Sequence, residues 1–124
     1  MEIGRGVKGL IMDEDRVLVL VEPNGNVDLP GGRVEEGEAL SVSLLREIQE
    51  ETDIDVEIDA PVAEWNFMKR PGLEISGTTY RCRYVGGDIN LSHEHAGYFW
   101  VDLGKLYEPE FAGCGRMGVY IGAS

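Results

Sequence analysis

From Val7 to Met12, and again from Arg16 to Glu22, aliphatic and β-branched residues dominate, with Asp13-Glu14-Asp15 between the two runs. Apolar runs on either side of a short polar break predict a β-hairpin. Pro23-Asn24-Gly25-Asn26 then breaks the chain, a short Val27-Asp28-Leu29 run follows, and Pro30-Gly31-Gly32 predicts a tight bend where regular structure stops. From Glu38 to Thr52 there is neither Gly nor Pro, and Ser41, Leu44, Leu45 and Ile48 recur at helical spacing. That stretch predicts one helix of about four turns. Ile54 to Ile58, Ala63 to Phe67, Thr78 to Val85 and Tyr98 to Val101 read as strands, separated by Pro61, Pro71-Gly72, Gly86-Gly87 and the polar segment Ser92 to His95. Beyond Pro109, Gly113, Gly115, Gly118 and Gly122 argue against a stable helix. The pattern as a whole predicts a mixed sheet with few helices.

At 124 residues, 43% apolar and 27% charged, the chain has the balance of one water-soluble globular domain, residues 1–124. There is no internal repeat, linker or low-complexity tract. No apolar run is long enough to span a bilayer, so neither secretion nor membrane insertion is expected. Cys82 and Cys114 form neither a zinc spacing nor a disulfide framework, and a reducing cytoplasm is the simplest home for them. A formal charge of -12 disfavours nucleic-acid binding by simple electrostatics.

The distribution of the acids changes the picture more than their total does. On the predicted helix, Glu47, Glu50 and Glu51 fall within about a third of the circumference, so three carboxylates share one narrow face. A solvated acidic face usually interleaves Lys at four-residue spacing, but the only base on this helix is Arg46. Clustered hard oxygen ligands on a rigid element suit Mg2+ or Mn2+, which keep several waters for phosphate oxygens to replace. Arg46 stands beside Glu47 and four residues before Glu50, where a planar guanidinium can aim a carboxylate. Pro30-Gly31-Gly32 lets bare backbone approach the same place.

The run from Gly32 through Glu38 and Arg46-Glu47-Ile48-Gln49-Glu50-Glu51 to Ile54 resembles the Nudix box, G-x5-E-x7-R-E-U-x-E-E-x-G-U with U aliphatic. Every fixed position agrees except Asp53, which stands where the family has a glycine at the left-handed end of the helix. Asp tolerates that conformation better than most residues. The box covers residues 32–54, and weaker likeness extends to the leading hairpin, to Leu29-Pro30-Gly31-Gly32, and to Leu91-Ser92-His93-Glu94-His95 ahead of Tyr98-Phe99-Trp100-Val101.

The resemblance implies an α/β fold, a Nudix-like α/β/α sandwich with a mixed β-sheet and a loop-helix-loop box. It implies a small MutT-like hydrolase in which Mg2+ or Mn2+ and water cut a diphosphate linkage in a nucleotide-like substrate. Carried over by position, Glu47 and Glu51 match the principal metal ligands, and Glu50 a further ligand or water-activating group. Gly31 matches a backbone carbonyl ligand, Arg46 the orienting arginine and Glu38 a supporting carboxylate. Glu94 matches a loop glutamate that binds metal or acts as base, and it is favoured slightly over Glu50 as the base. A nucleotide sensor without turnover is the alternative from another class, and the complete set of glutamates argues against it. Isopentenyl-diphosphate isomerase shares the fold but needs an additional catalytic cysteine and glutamate placement that this sequence does not display. Triphosphates, ADP-ribose and dinucleoside polyphosphates all stay open as substrates, as does a homodimer.

Other residues carry blander expectations. Gly4-Arg5-Gly6-Val7-Lys8-Gly9 spells a dinucleotide fingerprint but precedes a strand rather than a helix. His93 and His95 read as solvated or hydrogen-bonded groups, and Trp65, Phe67 and Tyr98 as packing residues. Cys82 reads as buried or inert, and Arg81 and Arg83 as a solvated strand face.

Overall fold

The computed structural model describes residues 1–123. Strands β1 (Glu2–Asp13) and β2 (Arg16–Val21) form the expected antiparallel hairpin, turning through Glu14 at φ 57°. The dinucleotide-like glycine pattern lies inside β1, as its strand context required. β3 (Val27–Asp28) pairs with β2, and β4 (Gly31–Arg33) pairs with β1. The Pro30-Gly31-Gly32 bend therefore does not end regular structure. Its glycines let a short strand lie tightly on β1, and a Cβ at Gly31, where φ is 145°, would run into the Val7 carbonyl.

α1 (Leu40–Thr52) starts two residues after Glu38, with the Ala39 carbonyl accepting the Ser43 N–H at 2.9 Å. It ends at Asp53, which takes the left-handed conformation at φ 62° and accepts from Gln49 Nε2 at 2.7 Å. The two strands expected on either side of Pro61 are one, β5 (Asp55–Arg70), paired with β6 (Leu73–Gly86). Proline is tolerated there because β5 is an edge strand and its register slips on both sides of Pro61. β7 (Gly97–Asp102) pairs antiparallel with β2. The path of the sheet is β3-β2-β1-β6-β5, mixed because β1 and β6 run parallel.

Each face of the sheet has its own core. On one, Leu44 and Ile48 of α1 bury against Val7, Ile11, Leu18, Leu20 and Cys82. Each such side chain contributes roughly 1.5–3 kcal/mol. On the other, Leu10, Val17, Val19 and Trp65 meet the C-terminal segment. That segment corrects the sequence reading of a helix-free tail: α2 (Leu103–Leu106), α3 (Pro109–Ala112) and α4 (Met117–Ile121) are single-turn helices. Gly113 and Gly122 cap α3 and α4 rather than interrupting them. Buried Met117, Tyr120 and Ile121 hold α4 down, and Thr79 Oγ1 donates to the Tyr120 carbonyl. Helices on both faces give the α/β/α sandwich. Among the described residues no helix is long and apolar enough to cross a membrane.

Candidate active site

The registration of β4 against β1 decides what the glycine bend offers to α1. Gly9 N–H donates to Pro30 O at 2.8 Å and Val34 N–H to Arg5 O at 2.9 Å, so ladder bonds fall on alternate residues. Gly31 is left out of that alternation, and its N–H donates to Glu51 Oε1 at 2.7 Å. Glu47 lies one turn earlier on the same face, with its carboxylate against Gly32, where a Cβ would stand 2.7 Å from Oε1. Both carboxylates thus point at the bend because no side chain fills it.

Burial has a clear electrostatic consequence. It pushes the Glu51 carboxyl up to about 8, against the opposing pull of the Gly31 N–H and the Lys8 ammonium. Burial also raises Glu47, partly offset by Arg46. Lys8, itself buried, gives Nζ to Asp28 Oδ2 at 3.0 Å and to Leu29 O at 3.1 Å. It pins the chain ahead of the bend.

Arg46 is the hub of the remaining acids. Its guanidinium holds Glu38 with two parallel bonds, Nε to Oε2 at 2.8 Å and Nη2 to Oε1 at 3.0 Å. Nη1 lies 3.2 Å from Glu47 Oε1 and 3.3 Å from Glu50 Oε2. The bond from Arg46 holds the Glu38 carboxyl down at about 2, and Glu38 in turn raises the guanidinium above its ordinary range. Glu50 is the exposed member of the cluster, its side chain 58% accessible.

The segment ahead of β7 closes the other side. Asn90 N–H donates to Thr52 O at 2.9 Å and Ser92 N–H to Glu51 O at 3.1 Å, so this loop is tied to the C-terminal end of α1. Glu94 is exposed and lines an open cavity of about 400 Å³ with Glu51, Glu22 and Asp28. His95 departs from the reading of two solvated or hydrogen-bonded histidines. Its side chain is buried, with Nε2 3.7 Å from Glu51 Oε2 and Nδ1 lacking a partner, whereas His93 is exposed. Nothing in the sequence separates the two histidines; the difference arises from the β2–β7 pairing, which Ala96 N–H begins by donating to Val21 O at 2.8 Å.

The structure brings Gly31, Glu38, Arg46, Glu47, Glu50 and Glu51 into one connected cluster and sets Glu94 on the same cavity as Glu51. Trp65 is buried as expected and Phe67 packs against it, but Tyr98, expected to pack, is 45% exposed on β7. Arg81 and Arg83 pair across the strands with Asp59 and Glu57, in exposed contacts of little energetic weight. Cys82 is buried, and its thiol is pushed up to about 12 by that burial.

Among the described residues no three His, Cys, Asp or Glu side chains form a ready-made seat for a metal ion. The carboxylates are instead held by Arg46, the Gly31 N–H and the neighbourhood of His95. The donor set nevertheless fits a hard divalent cation: half-buried Glu47 and buried Glu51 supply oxygens whose charge burial disfavours, and the loop tied to Glu51 carries two buried polar atoms without partners, His95 Nδ1 and Ser92 Oγ.

Fold and site together define an α/β/α domain in which an acidic helix presses two carboxylates onto a glycine bend. The chain belongs to the NUDIX domain family, whose model matches residues 2–116. A MutT-like protein of Streptomyces ambofaciens is 32% identical over 82% of this chain and 66% of its own length. The Xenopus laevis protein named nucleoside diphosphate-linked moiety X motif 6 is 31% identical over 82% of this chain and 51% of its own. The chain therefore spans between about half and just under two thirds of these two relatives. The crystal structure of the MutT protein from Methanosarcina mazei Go1 superposes with a TM-score of 0.75 at 31% identity, covering 85% of this chain and 80% of that one.

Proposed function

We propose that this domain hydrolyses a diphosphate linkage in a nucleoside diphosphate derivative, with Mg2+ or Mn2+ as the required ion. The observation that carries the reading is the pair of half-buried Glu47 and buried Glu51, side by side against the Gly31-Gly32 backbone with their charged forms disfavoured. A buried carboxylate with a half-buried one a turn away is costly unless a cation joins them.

In this reading Glu47, Glu50, Glu51 and the Gly31 carbonyl hold the ion. When bound, it supplies neutralisation of the phosphate oxygens and a lowered pKa for water. The chain does the positioning. Glu38 fixes the Arg46 plane, and Arg46 fixes Glu47 and Glu50, so the ligand face is oriented before substrate arrives. Glu94, exposed and lining the same cavity as Glu51, takes the proton of the attacking water. Glu50, held by Arg46, is less free to do so.

The test is a panel of nucleoside triphosphates, ADP-ribose and dinucleoside polyphosphates, assayed with Mg2+, with Mn2+ and with EDTA, reading released phosphate, pyrophosphate and nucleotide. At least one diphosphate is expected to be cut with metal and none with EDTA. Equal turnover in chelator contradicts the metal role, and binding without any turnover contradicts the hydrolase role.

A further inference from the structure

One pocket of this acid-rich chain is lined by bases. A pocket of about 170 Å³ opens between β1, β4, β5 and α4, bounded by Lys8, Arg33, Lys69 and Arg116 over an aromatic floor. The chain has 11 Lys and Arg against 23 Asp and Glu, yet four of those bases line this pocket and no acid does. Lys8 is committed to Asp28, but among the described residues Arg33, Lys69 and Arg116 take part in no ion pair. Three uncompensated cations around one small concavity repel one another unless an anion joins them.

Two of the cations are held in place rather than waving in solvent. The Arg116 guanidinium lies over the Phe67 ring, 4.0 Å from its centroid. The Arg33 guanidinium occupies the space left by Gly4 of β1, where any Cβ would collide with it. The pocket also adjoins the acidic site. Gly32 lines it on one side, and the same residue receives the Glu47 carboxylate on the other.

Size and chemistry choose the occupant. The volume falls below the roughly 300–1,000 Å³ of a typical organic-ligand cavity. The aromatic faces are already used: Phe67 is covered by Arg116, and Trp65 packs on Phe67 and Tyr120 and over Gly77. A stacked nucleobase therefore has no free ring to lie on, whereas a phosphate group matches both the cavity and its donors.

We propose that Arg33, Lys69 and Arg116 seat a phosphate monoester carried by the group beside the scissile diphosphate. This rests on the hydrolase reading above and narrows it: preferred substrates bear a second anionic centre in addition to the diphosphate.

The experiment has two arms. In the first, ribose 5-phosphate is titrated in EDTA while the two tryptophan indole N–H signals are followed by NMR. The Trp65 signal is expected to shift and saturate while that of Trp100, outside the pocket, stays still; the shift is expected to vanish in Arg33→Gln/Arg116→Gln and to be absent with ribose. In the second, wild type and the double variant are given diphosphates that differ by one monoester, ADP-ribose with its 2′-phosphate and dephospho-coenzyme A with coenzyme A. Wild type is expected to favour the phosphorylated member of at least one pair by about tenfold in kcat/KM, the weight of one charge-assisted hydrogen bond, and the double variant to lose that ratio. An unmoved Trp65 signal, a shift that survives the double substitution, or equal use of both members of each pair overturns the proposal. Absence of turnover across the whole panel with either metal instead overturns the hydrolase reading, while the titration still decides the anion seat.

Discussion

Glu51→Gln is expected to lower diphosphate hydrolysis on the order of 10³-fold, equivalent to about 4 kcal/mol of transition-state stabilisation, while the fold survives. Glutamine has nearly the same shape and keeps an oxygen for the Gly31 N–H that now reaches Glu51 Oε1 at 2.7 Å. It removes the charge that the site must offer to a cation. Steady-state kinetics at saturating Mg2+, set beside the circular dichroism spectrum of the variant, checks both halves. A variant that keeps a tenth of wild-type kcat, or one that is unfolded, contradicts the role given to this side chain.

Metal-free protein is expected to lose stability as the pH rises from about 4.5 to about 8, because burial lifts the Glu51 carboxyl from its ordinary 4.5 to about 8 in the folded state. Across that window the folded chain keeps a proton that the unfolded chain has released, so the unfolded state binds fewer protons and stability falls with pH. The full shift corresponds to roughly 3–5 kcal/mol for this buried group. Burial moves Glu47 in the same direction, whereas Glu38, held low by Arg46, contributes stability that is lost only as the pH falls from 4.5 toward about 2. Melting temperatures measured in EDTA at several pH values therefore decline toward pH 8, and Glu51→Gln flattens that decline. A wild-type melting temperature that climbs across the same range counts against a buried, metal-starved carboxylate.

The parts of the fold that were legible in the sequence are those fixed by local pattern. The β1–β2 hairpin followed from two aliphatic runs around Asp13-Glu14-Asp15, and α1 from helical periodicity without Gly or Pro. Asp53 in the left-handed conformation followed from its place at the helix end. What sequence did not show depends on neighbours distant along the chain. Pro61 marks a strand end in isolation, but on the outer edge of the sheet it lies within a bulged β5. The glycines beyond Pro109 oppose a free helix, yet burial of Met117, Tyr120 and Ile121 outweighs roughly 1 kcal/mol of propensity at Gly118.

The same division runs through the site. Helical spacing placed Glu47, Glu50 and Glu51 together, and the glycine bend was expected beside them. The principal partner of Arg46 was not legible, since Glu38 precedes it by eight residues and reaches it only because the loop before α1 folds back. His95 was missed for a similar reason: a polar loop residue becomes buried when β7 joins β2 and carries it to Glu51.

The most direct test of the cation seat is a Mn2+ titration followed by electron paramagnetic resonance, comparing wild type with Glu47→Gln/Glu51→Gln at pH 7.5. Loss of the free-ion signal with saturable, Mg2+-competed binding in wild type, weakened at least about tenfold in the variant, is the predicted outcome. Equal binding by both proteins, or none by wild type even with a diphosphate present, would contradict the assignment of these two carboxylates as the place where metal and substrate meet.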